Sequence, residues 1–127
     1  MDYVVYNNLD TVGELYKKVS LSVFTNKNVS EDAVGGTVWL IVGGGKPRNF
    51  RLRSWFIVSH VESGEEHGFR TRLSGSEGSI FDPMLEIVQE EWFLKLKKDQ
   101  GNFAFGFNPI KDQEAVSQLH ILAGKAP

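Results

Sequence analysis

The sequence predicts an α+β domain in which most of the strands are antiparallel. Between Thr37 and Leu73, three runs have the alternation or the β-branched and aromatic content of strands, and glycine-containing loops separate them. Two later segments, Glu90 to Lys98 and Asp112 to about Ala123, carry apolar residues at helical spacing instead. Strands followed by helices within 127 residues indicate one domain with a sheet and flanking helices.

The three central runs differ in their predicted burial. Thr37 to Val42 is an unbroken apolar run that ends at Gly43, which favours a strand covered on both faces. Asn49 to Val58, continuing to about Val61, and Phe69 to Leu73 alternate instead between apolar and polar residues. The segment from Ser63 to Gly68 is polar and contains two glycines, so it predicts an antiparallel hairpin between these two strands.

A hairpin centred on Glu65 and Glu66 would have one cationic face and one apolar face. The cationic face would carry Arg51, Arg53, Trp55, Ile57, Arg70 and Arg72. The apolar face would carry Phe50, Leu52, Phe56, Val58, Phe69, Thr71 and Leu73, and is predicted to face the core. A shift of the pairing by one residue would exchange the faces of one strand, so this prediction depends on the register.

Shorter patterns predict the elements around this hairpin. Val4 to Tyr6 fits a first strand, and a helix is predicted to open at Asp10. Leu21 to Phe24 fits either a strand or the end of that helix, and Met84 to Val88 fits either a strand or a helix. For each of these two segments, the sequence pattern is compatible with both a strand and a helix.

The last part of the chain contains a phenylalanine-rich segment. Phe103, Phe105 and Phe107 alternate with small residues, so a strand over Asn102 to Pro109 would place the three rings on one face. Gly124 to Pro127 looks like the start of a linker. We therefore expect residues 1–127 to form a single domain that could be the first domain of a longer protein.

Composition excludes several classes of protein. Hydrophobic residues make up 41% of the chain and charged residues 24%, as in an ordinary globular domain. The absence of cysteine excludes disulfides, thiol catalysis and cysteine metal sites, and it fits a cytoplasmic protein. No apolar run approaches the roughly 18 residues of a membrane span. The formal net charge of −2 argues against non-specific coating of duplex nucleic acid.

The charge of the central region differs from that of the whole chain. Between Lys46 and Arg72 there are six basic residues and three acidic ones, and all five arginines of the protein lie there. Arginine is well suited to bidentate contacts with phosphates and base edges, and a tryptophan beside arginines can stack on a base. The predicted nucleic-acid-binding residues are Lys46, Arg48, Arg51, Arg53, Trp55, Arg70 and Arg72.

Other residues are candidates for a pocket or for the core. Trp39 and Trp92 have apolar neighbours and are interpreted as core residues. The candidate pocket residues are Trp39, Ser54, Ser59, His60 and Phe105. The three histidines lack the spacing of metal ligands, and no catalytic motif is present. No catalytic residue, metal ion or cofactor is therefore predicted.

Part of this pattern resembles the PUA-like superfamily. The run Val38-Trp39-Leu40-Ile41-Val42-Gly43, a short basic loop and Phe50 to Val58 resemble its EVE and ASCH-type domains. Gly101 to Gly106 is similar to a segment in N-terminal domains of HNH restriction endonucleases. The resemblance covers about Gly36 to Pro109 and rests on a pattern of strands rather than on an invariant motif.

The resemblance implies a small, mostly antiparallel β pseudo-barrel with flanking helices. It also implies binding of RNA or DNA, and the EVE branch is linked to modified bases held in an aromatic-lined pocket. The chain has no HNH residues of its own, so the resemblance places any nuclease activity in a C-terminal domain or a partner.

Three functions are compatible with these residues. The first is a non-catalytic nucleic-acid-binding module that reads a modified or flipped base for a restriction or defence nuclease. The second is a domain that binds a protein or a small ligand and whose arginines pair with Glu62, Glu65 and Glu66. The third is a metal-dependent nuclease built on Asp82 and Glu91.

Overall fold

The computed structural model describes residues 1–8, 21–45, 49–66, 69–103 and 106–124. These residues form an α+β structure with eight strands and two α-helices. The strands are β1 Asp2–Asn8, β2 Ser22–Thr25, β3 Thr37–Gly44, β4 Asn49–Ile57, β5 His60–Glu66, β6 Phe69–Ser74, β7 Glu77–Glu86 and β8 Phe107–Pro109. The helices are α1 Glu91–Asp99 and α2 Gln113–Leu122. Short 3-10 helices cover Glu31–Ala33 and Gly101–Phe103.

The strands form two sheets. The larger sheet has the order β7-β4-β3-β1-β8, and the smaller one has the order β2-β6-β5. Neighbouring strands are antiparallel except β1 and β3, which are parallel. The predicted α+β class, with mostly antiparallel strands, is therefore confirmed. Within the described ranges the two sheets do not close into one barrel.

Two hydrophobic cores fill the spaces on either side of the larger sheet. The helix-side core lies between this sheet and the helices, and its buried members are Val4, Trp39, Ile41, Phe50, Leu52, Ile87, Trp92, Phe93, Leu96, Phe103, Ile110, Ala115 and Leu119. The inter-sheet core lies between the two sheets, and its buried members are Val5, Val23, Ala33, Val38, Leu40, Val42, Phe56, Val58, Leu73 and Phe107. The domain therefore has three layers: helices, larger sheet and smaller sheet.

β3 has a core on both of its faces. Val38, Leu40 and Val42 point into the inter-sheet core, while Trp39 and Ile41 point into the helix-side core. An unbroken apolar run is what such a position requires, because neither face reaches water. The prediction of a doubly covered strand is confirmed.

A β-bulge at Arg53 exchanges the two faces of β4. Leu40 of β3 pairs with Ser54 and Ile41 pairs with Leu52, so Arg53 is an extra residue of β4 opposite β3. On the other side of β4, Phe81 to Met84 of β7 lie between the partners of Leu52 and Ser54. Before the bulge, Leu52 joins the helix-side core; after it, Phe56 joins the inter-sheet core. The predicted uniform alternation along this strand is wrong, because a bulge inserts an extra residue and reverses the side-chain direction beyond it.

The predicted hairpin exists, but its first strand is β5 rather than β4. β4 ends at Ile57, and the chain crosses to the smaller sheet at Ser59, whose N–H donates to the carbonyl of Ser74. β5 then pairs with β6, while β4 pairs with β3 and β7. The prediction that the arginines of β4 share a face with Arg70 and Arg72 is therefore wrong, since they belong to different sheets.

Several other predictions can be compared with the structure. Both C-terminal helices are confirmed, and the segment Leu21 to Phe24, for which a strand and a helix end were both compatible with the sequence, is a strand from Ser22 onward. The segment beginning at Met84 continues β7 and is not helical up to Glu86. Phe103 and Phe107 do not share a face, because Phe103 has a φ of 65° and belongs to the helix-side core, while Phe107 belongs to the inter-sheet core. The helix predicted at Asp10 lies outside the described residues.

Asp2 ties the beginning of β1 to β3 and to α2. Its Oδ2 accepts a hydrogen bond from the indole N–H of Trp39 at 2.8 Å and lies 3.1 Å from Nε2 of His120. An unpaired buried N–H costs roughly 1–3 kcal/mol. The carboxylate therefore allows a tryptophan, whose N–H needs an acceptor, to be fully buried in β3.

Neither of the described helices is long and apolar enough to cross a membrane.

Candidate functional site

The smaller sheet has one face on the inter-sheet core and one face directed away from it. In β6, Thr71 and Leu73 are buried, while Arg70 is exposed and Arg72 is half-buried. The same alternation in β2 and β5 turns Val23 and Val61 toward the core. The residues on the opposite side form what we call the outer face: Ser22, Phe24, His60, Glu62, Arg70, Arg72 and Ser74.

The register of the three strands places the outer-face residues in rows. Arg72 pairs with Phe24 on one side and with Glu62 on the other. The guanidinium carbon of Arg72 lies 5.9 Å from the centre of the Phe24 ring, within the range of a cation–π contact. Ser74 occupies the next row between Ser22 and His60. Arg72 therefore lies in a row between an aromatic residue, which its guanidinium contacts, and an acidic residue.

A small hollow opens at this row. It measures about 150 Å³ and is lined by Phe24, Glu62, Ser63, Gly64, Phe69, Thr71 and Arg72. The rings of Phe24 and Phe69 lie 5.9 Å apart. A Cβ added at Gly64 would meet no atom within 4 Å, so this part of the rim is open to solvent. The hydroxyl of Thr71, one of the lining residues, donates to the carbonyl of Lys27 at 2.8 Å, which links β6 to the segment after β2.

Arg72 offers a donor that the rest of the described chain does not use. Its Nε is buried and has no hydrogen-bond partner among the described residues. A buried donor without an acceptor costs roughly 1–3 kcal/mol more than a paired one. The Arg72 side chain also lines the hollow, where the other N–H groups of its guanidinium can donate to an acceptor of a ligand.

The predicted binding residues of β4 lie elsewhere and have contacts of their own. Nε of Arg51 lies 3.8 Å from Oε1 of Glu86, and both side chains are largely exposed, at 44% and 63%. Arg53 is buried and donates from Nη1 to the carbonyl of Phe81, inside the bulge, at 3.3 Å. The ring of Trp55 lies 6.1 Å from that of Trp39, on the helix-side face. Their predicted contacts with nucleic acid stay predictions.

The candidate pocket residues are not brought together either. Trp39 and Ser54 are buried in the larger sheet, with 0% and 2% of their surface exposed. Ser59 is exposed, and its hydroxyl donates to the carbonyl of Ser74 at 3.3 Å. His60 lies on the outer face and is exposed. Three further candidates lie outside the described residues, namely Lys46, Arg48 and Phe105.

Sequence reasoning missed the aromatic residues of the site. Phe24 lies in a segment whose pattern fits either a strand or a helix, and the alternation from Phe69 to Leu73 predicts that Phe69 faces the core. The alternation in Ser22–Thr25 is the local signal that could have indicated a strand with Phe24 pointing outward. The pairing of Phe24 with Arg72 is a contact between distant segments, and no local pattern reveals it.

The structure also contains a larger cleft near the beginning of β1. It measures about 410 Å³, lies between β1 and the start of α2, and is lined by Asp2, Ile110 and Val116 among others.

Within the described ranges, no group of three or more His, Asp and Glu residues could hold a metal ion. The nuclease hypothesis built on Asp82 and Glu91 stays a prediction.

The chain was compared with known proteins at three levels. No protein-family model, no curated protein and no solved structure matches it.

Proposed function

We propose that this protein is a non-catalytic nucleic-acid-binding module whose outer face accepts a single-stranded segment. Arg70 and Arg72 contact phosphates or base edges, and Phe24 provides a surface on which a base stacks. Single-stranded nucleic acid is commonly bound in this way, by positive charge that follows the backbone and aromatic rings that stack on bases. The partner is DNA or RNA.

The observation that carries the proposal is the position of Arg72. Its guanidinium lies over the Phe24 ring, and its buried Nε has no partner in the described part of the chain. A stacked arginine is ordered before the ligand arrives, so less side-chain entropy is lost on binding. A guanidinium that lines the hollow favours a ligand that carries acceptors, as phosphates and bases do.

The size of the hollow supports a single base rather than a whole cofactor. Sites for drug-sized ligands usually enclose roughly 300–1,000 Å³. The hollow at Arg72 measures about 150 Å³. One ring system could enter it while the sugar and phosphates remain on the exposed part of the outer face.

The finer parts of the proposal rest on the resemblance described above. A PUA-like pseudo-barrel would curve the two sheets around the inter-sheet core. A flipped or modified base would occupy the hollow, and a restriction or defence nuclease in a further domain or a partner would act on the bound strand. Removing a base from a duplex costs a few kcal/mol, which stacking and edge hydrogen bonds would offset.

Replacing Phe24 with alanine tests this function. Stacking of a base on an aromatic ring contributes about 1–3 kcal/mol, so we expect Phe24→Ala to weaken binding of a single-stranded oligonucleotide at least about fivefold. Fluorescence anisotropy measures the affinity. Phe24→Trp keeps an aromatic surface, so this variant should retain most of the affinity. Unchanged affinity in Phe24→Ala, with thermal unfolding near that of the wild type, would contradict the proposal.

A second function has a specific observation in its favour. The cleft of about 410 Å³ near Asp2 falls within the size range of small-ligand sites, and Arg51 is already paired with Glu86. A domain that binds a small, mainly apolar ligand there would show no affinity for oligonucleotides at physiological salt. The same anisotropy measurement on the wild type separates the two functions.

A further inference from the structure

We propose that the hollow selects unpaired bases that carry an exocyclic amino group, through Glu62 and Arg72 acting together. Cytosine would then bind more tightly than uracil. This inference rests on the proposed function, because it concerns the base that enters the same hollow. It adds a role for Glu62, which otherwise would only weaken the binding of a polyanion.

The register places an acceptor beside a donor. Glu62 of β5 and Arg72 of β6 are directly opposite each other, so their Cβ atoms are about 5 Å apart. The ion pairs within 4.0 Å among the described residues do not include one between these two side chains. Both groups also line the hollow. The carboxylate and the guanidinium can therefore each contact a ligand.

The chemistry of the two groups determines which base edge they fit. An ionised carboxylate only accepts hydrogen bonds, and a guanidinium only donates them. Cytosine presents an amino group at C4 next to the acceptor N3, and a glutamate commonly accepts from that amino group. The amino group would face Glu62, while N3 or O2 would accept from Arg72.

Uracil fits the same pair poorly. At C4 it carries an oxygen, whose lone pairs would face the carboxylate instead of an N–H. Its N3–H is flanked by carbonyl oxygens on both sides, so turning this N–H toward Glu62 brings further oxygens near the negative charge. Discrimination by such a contact is typically at least about fivefold, and we expect about tenfold here.

The test compares two oligonucleotides of about eight nucleotides, one with cytosine and one with uracil at every position. Anisotropy titrations give the ratio of the two affinities for the wild type and for Glu62→Gln. A glutamine side chain can donate as well as accept, so the ratio should fall from about tenfold to near one. Glu77→Gln removes the same charge at an exposed position of β7 and should leave the ratio unchanged.

The other outcomes have distinct meanings. Equal binding of both oligonucleotides by the wild type would overturn this inference and leave the proposed function intact. A cytosine preference that persists in Glu62→Gln would also overturn it, because another group would then read the base. Failure of the wild type to bind either oligonucleotide would overturn the proposed function, and this inference with it.

Discussion

Replacing Arg70 and Arg72 together with alanine is expected to weaken binding of a single-stranded oligonucleotide by roughly a hundredfold. Both arginines lie on the outer face, and Arg72 is the residue held against Phe24. A hydrogen bond to a charged group contributes roughly 1.5–3 kcal/mol, and two such losses give an effect of this size. The affinity should also depend less on salt. Each phosphate contact on a single strand contributes about 0.7 to the magnitude of the slope of log K against log salt. The slope measured for the double variant should therefore be smaller in magnitude by about 1.4.

Arg51→Ala is the matched control for this experiment. Arg51 is also a half-buried arginine of a strand, like Arg72, but it belongs to the larger sheet and is paired with Glu86. Its removal should change the affinity less than about twofold, since exposed ion pairs contribute little and Arg51 does not belong to the outer face. A similar loss in Arg51→Ala and in the double variant would show that binding follows net charge rather than the outer face.

A single methyl group at Gly78 is expected to destabilise the protein by about 3 kcal/mol, which lowers the melting temperature by roughly 10 °C. Gly78 of β7 faces Phe56 of β4 across the sheet. A Cβ at this position would collide with the carbonyl oxygen of Trp55 and would lie 2.7 Å from Cα of Phe56. These are backbone atoms of a strand between two cores, so they cannot move aside as a flexible side chain would.

Differential scanning calorimetry of Gly78→Ala and of Ser79→Ala checks this prediction. Ser79 is the next residue of β7 and is exposed, so its truncation should change the stability by less than about 0.5 kcal/mol. A melting temperature of Gly78→Ala within about 2 °C of the wild type would mean that β7 can move away from β4. The packing described for this part of the larger sheet would then be incorrect.

The elements that depend on local patterns were predicted well. The run from Thr37 to Val42 and the helical spacing of Trp92, Phe93 and Leu96 are properties of short segments, and the structure contains β3 and α1 there. The reversal of faces in β4 could not be predicted in the same way. It arises because Arg53 is an extra residue opposite Leu40 and Ile41 of β3, and the register between two strands is not visible in the sequence of either strand.

In the candidate site, too, a local pattern predicts part of the arrangement, whereas the contacts between distant segments are not predicted. The alternation of Phe69–Ser74 predicted that Arg70 and Arg72 would share a face, and they do. Their neighbours were assigned wrongly, because the apolar run after Trp55 gives no sign that the chain leaves the larger sheet. The N–H of Val58 donates to the carbonyl of Gly36, and the N–H of Gly35 donates to the carbonyl of Val58. These contacts with the segment before β3 end β4 and separate Trp55 from the arginines of β6.

Backbone amide chemical shifts, recorded while a single-stranded oligonucleotide is added, test the central claim most directly. The outer face is predicted to be the binding surface, so the largest changes should occur in β2, β5 and β6, at Phe24, Glu62 and Arg72. The amides of α1 and of the cleft near Val116 should change little. Changes concentrated in the helices or in β4, or no changes at all, would contradict the assignment of the outer face as a nucleic-acid-binding surface.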